Sequence, residues 1–323
     1  MSKAIRIHAT GGPEVMKWEQ VPTPQAGPGE ALIRHEAVGL NYIDVYFRAG
    51  LYKTALPATI GMEGAGVVVA VGDGVRDLKA GDRVAYAGGP IGAYATERVI
   101  PADRLVKLPD AIDFKTGAAM MLQGMTAQYL LHRTFKVQKG QTILVHAAAG
   151  GVGLILCQWA SYLGVNVIGV VSTLEKAKLA AANGAHHTVV GYANLVAEVK
   201  RITGGAMVPV VYDSIGKDTF AASIDCLAPL GLMVSYGSAS GPVPPVDIGM
   251  LGAKGSLFLT RPSLAAYIAA RSDLLTVSSD LFDAVIFGAV KIQVNQTFAL
   301  ADAAAAHEAL EARRTTGSTV LLP

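Results

Sequence analysis

Cysteine is almost absent from this chain, with Cys157 and Cys226 the only two in 323 residues. Two isolated thiols in apolar segments build neither a disulfide framework nor a four-thiolate metal site. Both read as buried thiols of a reducing compartment. Charge is also scarce. Charged residues make up 16% of the chain and the net charge is +2, so nothing resembles the basic footprint of a nucleic-acid binder. No run reaches the ~18 apolar residues of a membrane helix. Alanine and glycine, not a membrane segment, account for the positive mean hydropathy. The first residues, MSKAIRIHATGGPE, lack the apolar core of a secretory signal, so the expected location is cytoplasmic. Internal repeats and low-complexity tracts are missing as well. What is present is a hydrophobic content of 51%, enough for a large core, and a length that suits two domains.

The most informative stretch runs from 141 to 176. An apolar β-branched run at 142–145 is followed by the small residues Ala147-Ala148-Ala149-Gly150-Gly151-Val152-Gly153. An apolar segment of helical length (154–163), a stop at Gly164 and a second apolar run (165–171) complete a strand–turn–helix–strand unit. Such a unit places a pyrophosphate on a helix N-terminus. The turn is expected to need glycine for its φ values and for close backbone approach, with Gly153 also letting helix and strand pack. Ala149, Gly150, Gly151, Val152 and Gly153 are therefore the candidate phosphate-binding residues. The alternative is a buried β-turn-α whose glycines serve packing alone; the flanking strands and helix favour the nucleotide site.

The end of the second strand addresses which nucleotide. NAD-binding units carry an acidic residue there. This chain reads Val171-Ser172-Thr173-Leu174-Glu175-Lys176. Ser172 can donate to a 2′-phosphate and Lys176 adds positive charge, which favours NADPH over NADH. Glu175 dissents, unless it is a solvated first-turn carboxylate.

The remaining chain divides clearly. Residues 1–110 suggest short strands and turns, as in a small barrel or sandwich, and 116–131 read as helix. After the glycine turn, helices at 175–182, 195–202 and 219–227 alternate with strands at 188–190, 208–212, 232–235 and 256–260. That order builds a doubly wound parallel sheet. Beyond Pro262 come helices at 264–271, 278–287 and 302–313, with strands near 297–298 and at 318–322.

End to end, the chain resembles the zinc-free, ζ-crystallin-like quinone oxidoreductases of the medium-chain dehydrogenase/reductase superfamily. The resemblance rests on Val38-Gly39-Leu40-Asn41-Tyr42-Ile43-Asp44-Val45-Tyr46 with Arg48, Gly50 and Tyr52, and on Gly61-Met62-Glu63-Gly64-Ala65-Gly66. It continues through Gly124-Met125-Thr126-Ala127, the AAAGGVG turn, Asp213-Ser214-Ile215-Gly216, Leu259-Thr260-Arg261-Pro262 and the strand after Gly317. It implies an α/β protein with a GroES-like β-barrel catalytic domain (1–123 and 265–323) and a Rossmann NADP-binding domain (124–264). It also implies NADPH-dependent reduction of a small-molecule quinone, without metal, membrane or nucleic acid, in a homodimer joined through the Rossmann sheet. Leu257-Phe258-Leu259 suits such an edge, or equally the core. An NADPH-dependent enone or enoyl-thioester reductase is the alternative; a non-enzymatic NADPH- or RNA-binding role ranks third.

Zinc relatives carry cysteine where this chain has Asn41, and Gly-His-Glu where it has Gly61-Met62-Glu63. The histidines are scattered, and the adjacent pair His186-His187 diverges on any regular element. The resemblance puts Asn41 near the nicotinamide, where its amide can bond cofactor or substrate. Tyr46 and Tyr52 on the same segment can cap the ring or donate a proton, although for Tyr52 simple packing is an equal reading. Asp44 is expected to orient the Asn41 loop. Similarity further implicates Thr126, Tyr192, Ser235, Tyr236, Gly237, Ser238, Thr260 and Arg261 as cofactor contacts. Arg313 joins them as a phosphate partner, or serves as an ordinary helix-end arginine.

Overall fold

A computed structural model describes all of residues 1–323 and divides the chain into two compact units. The first comprises Met1–Met125, Tyr267–Ile286 and Ile292–Pro323; the second comprises Thr126–Ala266 and Phe287–Lys291. The short return at 287–291 departs from the expected boundary. Gln158 holds it there, accepting from the Lys291 N–H at 2.8 Å and donating to the Lys291 carbonyl at 3.1 Å.

The first unit is organised on strand Glu30–Leu40. It pairs antiparallel with Glu63–Val71, Glu97–Pro101 and Ser318–Leu322. Ala31, Ile33 and Val38 alternate inward along it, and join Ile5, Ile7, Ile60, Val84, Tyr86 and Ile100 in one core. A second, three-stranded sheet orders Met16–Val21, Ser2–Ile7 and Ala58–Thr59.

One element here contradicts the sequence expectation of strands and turns. Tyr42–Ala49 is an α-helix. Its start is set by Asp44, whose carboxylate accepts the Asn41 backbone N–H at 2.9 Å. Its end is Gly50 at φ 84°, a left-handed stop that glycine takes without strain. Asp44, Val45, Tyr46 and Arg48 are buried, and with only eight residues the helix is too short for its apolar positions 42, 45, 46 and 49 to stand out among the surrounding strand signals.

The second unit holds a six-stranded, all-parallel sheet. In spatial order its strands are His187–Val190, Asn166–Val171, Thr142–His146, Val208–Asp213, Leu227–Ser235 and Phe258–Thr260. The chain winds outward in both directions from the adjacent pair Thr142–His146 and Val208–Asp213. That is the topological switch point at which such sheets bind ligands, off the strand C-termini. Leu144, Ile168, Val170, Val208 and Val211 form its core with Leu195, Val199, Ile224 and Leu257.

Candidate active site

At the switch point, helix Gly151–Tyr162 begins directly in the glycine run, three residues earlier than its apolar segment suggests. Gly150 is its N-cap, with no side chain capping it and no acidic residue in the first turn. The first N–H groups of a helix have no acceptor within it and carry the positive end of its dipole. The N-terminus is thus open to an anion.

The glycines do not serve the φ values expected of them. None of Gly150, Gly151 and Gly153 has positive φ; the left-handed residue of the turn is Ala147, at φ 48°. Close approach is the actual reason. A Cβ on Gly153 would lie 2.1 Å from the Ala147 carbonyl oxygen and 2.8 Å from the Ala148 Cα. The Gly150 N–H donates to that same carbonyl at 2.8 Å.

Strand Asn166–Val171 ends beside exposed Ser172. Thr173 then caps helix Leu174–Ala182, its side chain accepting from the Lys176 N–H at 3.2 Å. Lys176 therefore sits in the first turn, where a cation opposes the helix dipole by ~0.3–1 kcal/mol. A bound phosphate would reverse that sign. Glu175 is fully exposed, and its pKa is lowered by hydrogen bonds at the helix start.

Several other expected cofactor residues come together around Arg261. Its guanidinium donates to the Ser235 and Gly237 carbonyls, both at 2.8 Å, and to Ser238 Oγ at 3.3 Å. Arg261 thus clamps 235–238 and spends several of its donors doing so. The Tyr236 N–H donates to the Asp213 carbonyl at 2.8 Å, and a Cβ on Gly237 would meet the Ser214 carbonyl at 2.4 Å. Thr260 closes the edge strand, and Thr126 is buried on helix Phe114–Tyr129. Tyr192 lies against His146, ring centroids 5.9 Å apart.

His146 belongs to a buried cluster that the sequence did not reveal. Asp213 Oδ2 accepts from Thr219 Oγ1 at 2.7 Å and Ser223 Oγ at 2.8 Å; its Oδ1 accepts the Ile215 and Gly216 N–H groups. With the Ser223 proton given to Asp213, His146 Nε2 must donate to Ser223 Oγ, 2.8 Å away. Burial lowers the His146 pKa. The cluster fixes the ends of the two switch-point strands and leaves no nucleophile exposed.

In the first unit Asn41 is buried, with both ends of its amide engaged. Nδ2 donates to Glu63 Oε2 at 2.6 Å, and Oδ1 accepts from Gln123 Nε2 at 3.1 Å. Gln123 Oε1 accepts from Ser318 Oγ at 2.7 Å, and Glu63 Oε1 accepts the Leu122 N–H at 2.8 Å. Burial pushes Glu63 up to about 8. Tyr46 and Tyr52, on the segment that follows Asn41, are in edge contact with each other at 5.3 Å between ring centroids. The Tyr52 N–H donates to the Tyr46 carbonyl at 3.1 Å. Tyr42 and Phe47 extend this aromatic group.

Behind Asn41 runs a second chain of side chains. Arg48 has no lone pair, so its Nη1 donates to His307 Nδ1 at 3.0 Å. His307 Nε2 then carries the hydrogen and donates to Tyr94 Oη at 2.9 Å, and Tyr94 donates to Asp44 Oδ2 at 3.0 Å. Arg48 is held by Glu311 through two 2.8 Å bonds. Burial and the Arg48 charge lower His307 to about 3, so it stays neutral; burial raises Asp44 to about 7. Asp44 does orient Asn41, but through a helix start, not a loop turn.

Arg313 stands elsewhere in the first unit, past the end of helix Ala303–Glu311, at φ 58°. Its N–H donates to the Leu310 carbonyl and that of Arg314 to Ala309, a Schellman stop with arginine where glycine is usual. Left-handed backbone costs a non-glycine residue ~1 kcal/mol or more.

Zinc does not fit this site. Asn41 and Glu63 bond one another, Met62 replaces the ligating histidine, and both cysteines are buried in the second unit. No group of three His, Cys, Asp or Glu side chains in the structure could hold a metal.

The chain matches two family descriptions, the alcohol dehydrogenase GroES-like domain over residues 27–110 and the zinc-binding dehydrogenases over 151–270. It is 52% identical to a quinone oxidoreductase of Pseudomonas aeruginosa over 100% of both chains. It is 48% identical to a 2-haloacrylate reductase of Burkholderia, over 100% of this chain and 99% of that one. A solved structure of the Escherichia coli quinone oxidoreductase complexed with NADPH superposes with a TM-score of 0.98 at 46% identity, covering 99% of this chain and 100% of that one. The polar interior around Asn41 and the glycine turn are thus set in a GroES-like unit and a Rossmann unit, and the chain belongs to the quinone oxidoreductases of the medium-chain dehydrogenase/reductase superfamily.

Proposed function

We propose that this protein is an NADPH-dependent, zinc-independent quinone oxidoreductase. The full-length likeness to an NADPH-complexed quinone oxidoreductase carries the reading. NADPH, when bound, supplies the hydride, and reduction of a quinone to the hydroquinone consumes one further proton. The residues supply binding and orientation. The N-terminus of helix Gly151–Tyr162 receives the pyrophosphate, with Ala149, Gly150, Val152 and Gly153 around it. Ser172 and Lys176 provide donors and charge for the 2′-phosphate, Arg313 is a further phosphate partner, and Tyr192 flanks the adenine. The 235–238 segment, clamped by Arg261, lines the ribose and nicotinamide, with Thr126 and Thr260-Arg261 as further cofactor contacts. Asn41, Tyr46 and Tyr52 contact the nicotinamide ring or the acceptor, and a tyrosine hydroxyl, protonated at neutral pH, can donate to the reduced oxygen. Nucleotide binding is assigned to the unit Thr126–Ala266 with Phe287–Lys291, and the catalytic role to the other unit, in place of the expected 124–264 and 1–123 with 265–323.

Purified protein is expected to oxidise NADPH with 1,4-benzoquinone at a rate unaffected by added zinc or chelator. Failure with every quinone would overturn the reading. The 48% identity to a 2-haloacrylate reductase favours a second reading, reduction of an activated carbon–carbon double bond. Turnover of 2-chloroacrylate without turnover of quinones would select it.

We further propose a homodimer joined along the outer strand Phe258–Thr260. That strand pairs on one side only, and it exposes Phe258 and Leu259 while burying Leu257. Sedimentation should give a dimer that Phe258→Glu dissociates. No helix is long and apolar enough to cross a membrane, and we place the enzyme in the cytoplasm.

A further inference from the structure

Asn41 draws its function from its orientation, and that orientation is set by neighbours far away in sequence. We propose that Glu63 is a positioning residue, whose carboxylate fixes the direction of the Ser318–Gln123–Asn41–Glu63 hydrogen-bond chain and thereby decides which end of the Asn41 amide is presented to the ligand. The inference rests on the reading that Asn41 contacts the nicotinamide or the acceptor.

The chain has two self-consistent directions. With Glu63 ionised, Ser318 Oγ donates to Gln123 Oε1, Gln123 Nε2 to Asn41 Oδ1, and Asn41 Nδ2 to Glu63 Oε2. One Nδ2 hydrogen of Asn41 remains for a ligand, while its Oδ1 accepts from Gln123 and faces the Asp44 N–H. With Glu63 protonated, its hydrogen must sit on Oε2, because Oε1 is committed to the Leu122 N–H. Glu63 then donates to Asn41, which turns its amide and donates to Gln123. Gln123 turns in the same way and donates to Ser318. The Ser318 hydroxyl has an acceptor ready in the Ala119 carbonyl, 3.0 Å away. In the reversed direction the Asp44 N–H, which the Asn41 side chain faces in the capping box, keeps its 3.0 Å bond to the Asn41 backbone carbonyl, so every member retains a partner while the nitrogen and oxygen of Asn41 exchange places.

Glu63 itself cannot shift aside. It is fully buried, and Gly39 exists to admit it: a Cβ on Gly39 would lie 2.4 Å from Glu63 Oε2 and 2.2 Å from the Ala118 carbonyl. Burial pushes Glu63 up to about 8, so both directions are populated near neutral pH. The other titratable groups facing it are Asp44, which raises it further, and the hydroxyls of Tyr86 and Tyr94. Arg98 and His35 bond Tyr86 from behind, and His35, lowered to about 3 by burial, stays neutral.

The direct test is NMR on the wild-type protein with labelled side chains. The Glu63 carboxyl carbon and the side-chain amide nitrogens of Asn41 and Gln123 should titrate together, with one common midpoint separate from that of Asp44. Amide signals that ignore the Glu63 midpoint would overturn the proposal. The kinetic test is Glu63→Gln, which holds the reversed direction because Oε1 must still accept from Leu122 and leaves an NH₂ facing Asn41. Its kcat with NADPH and 1,4-benzoquinone should lose the inflection near pH 8 and fall roughly tenfold on the alkaline side, with the KM for NADPH little changed. A wild-type pH profile in a folded Glu63→Gln, while Asn41→Ala is impaired at every pH, overturns the inference and leaves the Asn41 reading standing. Wild-type kinetics in Asn41→Ala overturns the reading itself.

Discussion

The glycine turn of the second unit and the Asn41 surroundings of the first are built by opposite means. The turn relies on backbone: N–H groups at a helix start, a left-handed Ala147, and a Gly153 with no room for a Cβ. All of it lies within a few consecutive residues. The Asn41 site relies on side chains gathered from positions 41, 44, 63, 94, 123, 307 and 318, all buried and each oriented by the next. A backbone site is fixed as soon as its strand and helix form. A side-chain site is fixed only when every contributing element has docked. The first should fail through geometry, and the second through polarity and pH.

The sharpest break of the backbone side is Gly153→Val. Its side chain would meet the Ala147 carbonyl, so NADPH binding should be lost by hundredfold or more and stability reduced by about 1–3 kcal/mol. Fluorescence titration and chemical denaturation would check both. Retained NADPH affinity would show that the turn is not the anchor.

On the side-chain side, Arg48→Ala should lower stability by about 3 kcal/mol. It removes a buried charge from Glu311, His307 and the Gly11 carbonyl; Glu311 is partly exposed and can rehydrate. Urea unfolding gives the value, and a loss below ~1 kcal/mol would mean that the chain behind Asn41 is not a structural unit.

Lys176→Ala sharpens the nucleotide side with a smaller effect. The KM for NADPH should rise roughly tenfold while that for NADH barely moves, because only NADPH carries the 2′-phosphate. Equal changes would remove the basis for the cofactor preference.

The smallest effect is a pH dependence peculiar to the first unit. Asp44 and Glu63 have folded pKa values raised by burial to about 7 and about 8. Their contribution is therefore fully present below the unfolded carboxyl range, and is lost as pH rises through those values. His35 and His307, lowered to about 3, act oppositely, losing stability as pH falls from about 6.5 toward 3. Between about pH 6.5 and 8 the carboxyls alone remain, so Tm should decline on going alkaline. Glu63→Gln should flatten that decline, and an unchanged slope would show that Glu63 does not titrate in the fold.

The two regions were unequally legible in the sequence. The six parallel strands and the helices between them follow from apolar runs and glycine stops, and helix Leu195–Ile202 matches its expected bounds. Ser172 and Lys176 could be read because they follow the second strand directly. Helix Tyr42–Ala49 was missed because it spans only eight residues between strand and turn signals, although its apolar positions keep a helical repeat. Glu63, Gln123 and His307 were missed as members of the Asn41 site. A signal did exist: a carboxylate in a glycine-studded strand and an amide within Met120-Met121-Leu122-Gln123-Gly124-Met125 are polar groups in apolar settings, and such groups need partners. Which partners they take is a question of contacts 22 to 199 residues apart, which no local pattern carries.

By itself the sequence determined the class of the fold, the strand–turn–helix unit at 142–163 and the residue types at positions 41 and 61–63. Each of these depends on neighbours along the chain or on which residue types exist at all. Only the tertiary structure decided that Gly153 serves close approach and not backbone angle, that Arg261 clamps the 235–238 segment, and that Asn41 sits between Glu63 and Gln123. Those facts depend on distances across packed elements, where a buried polar group takes the partner the fold brings to it.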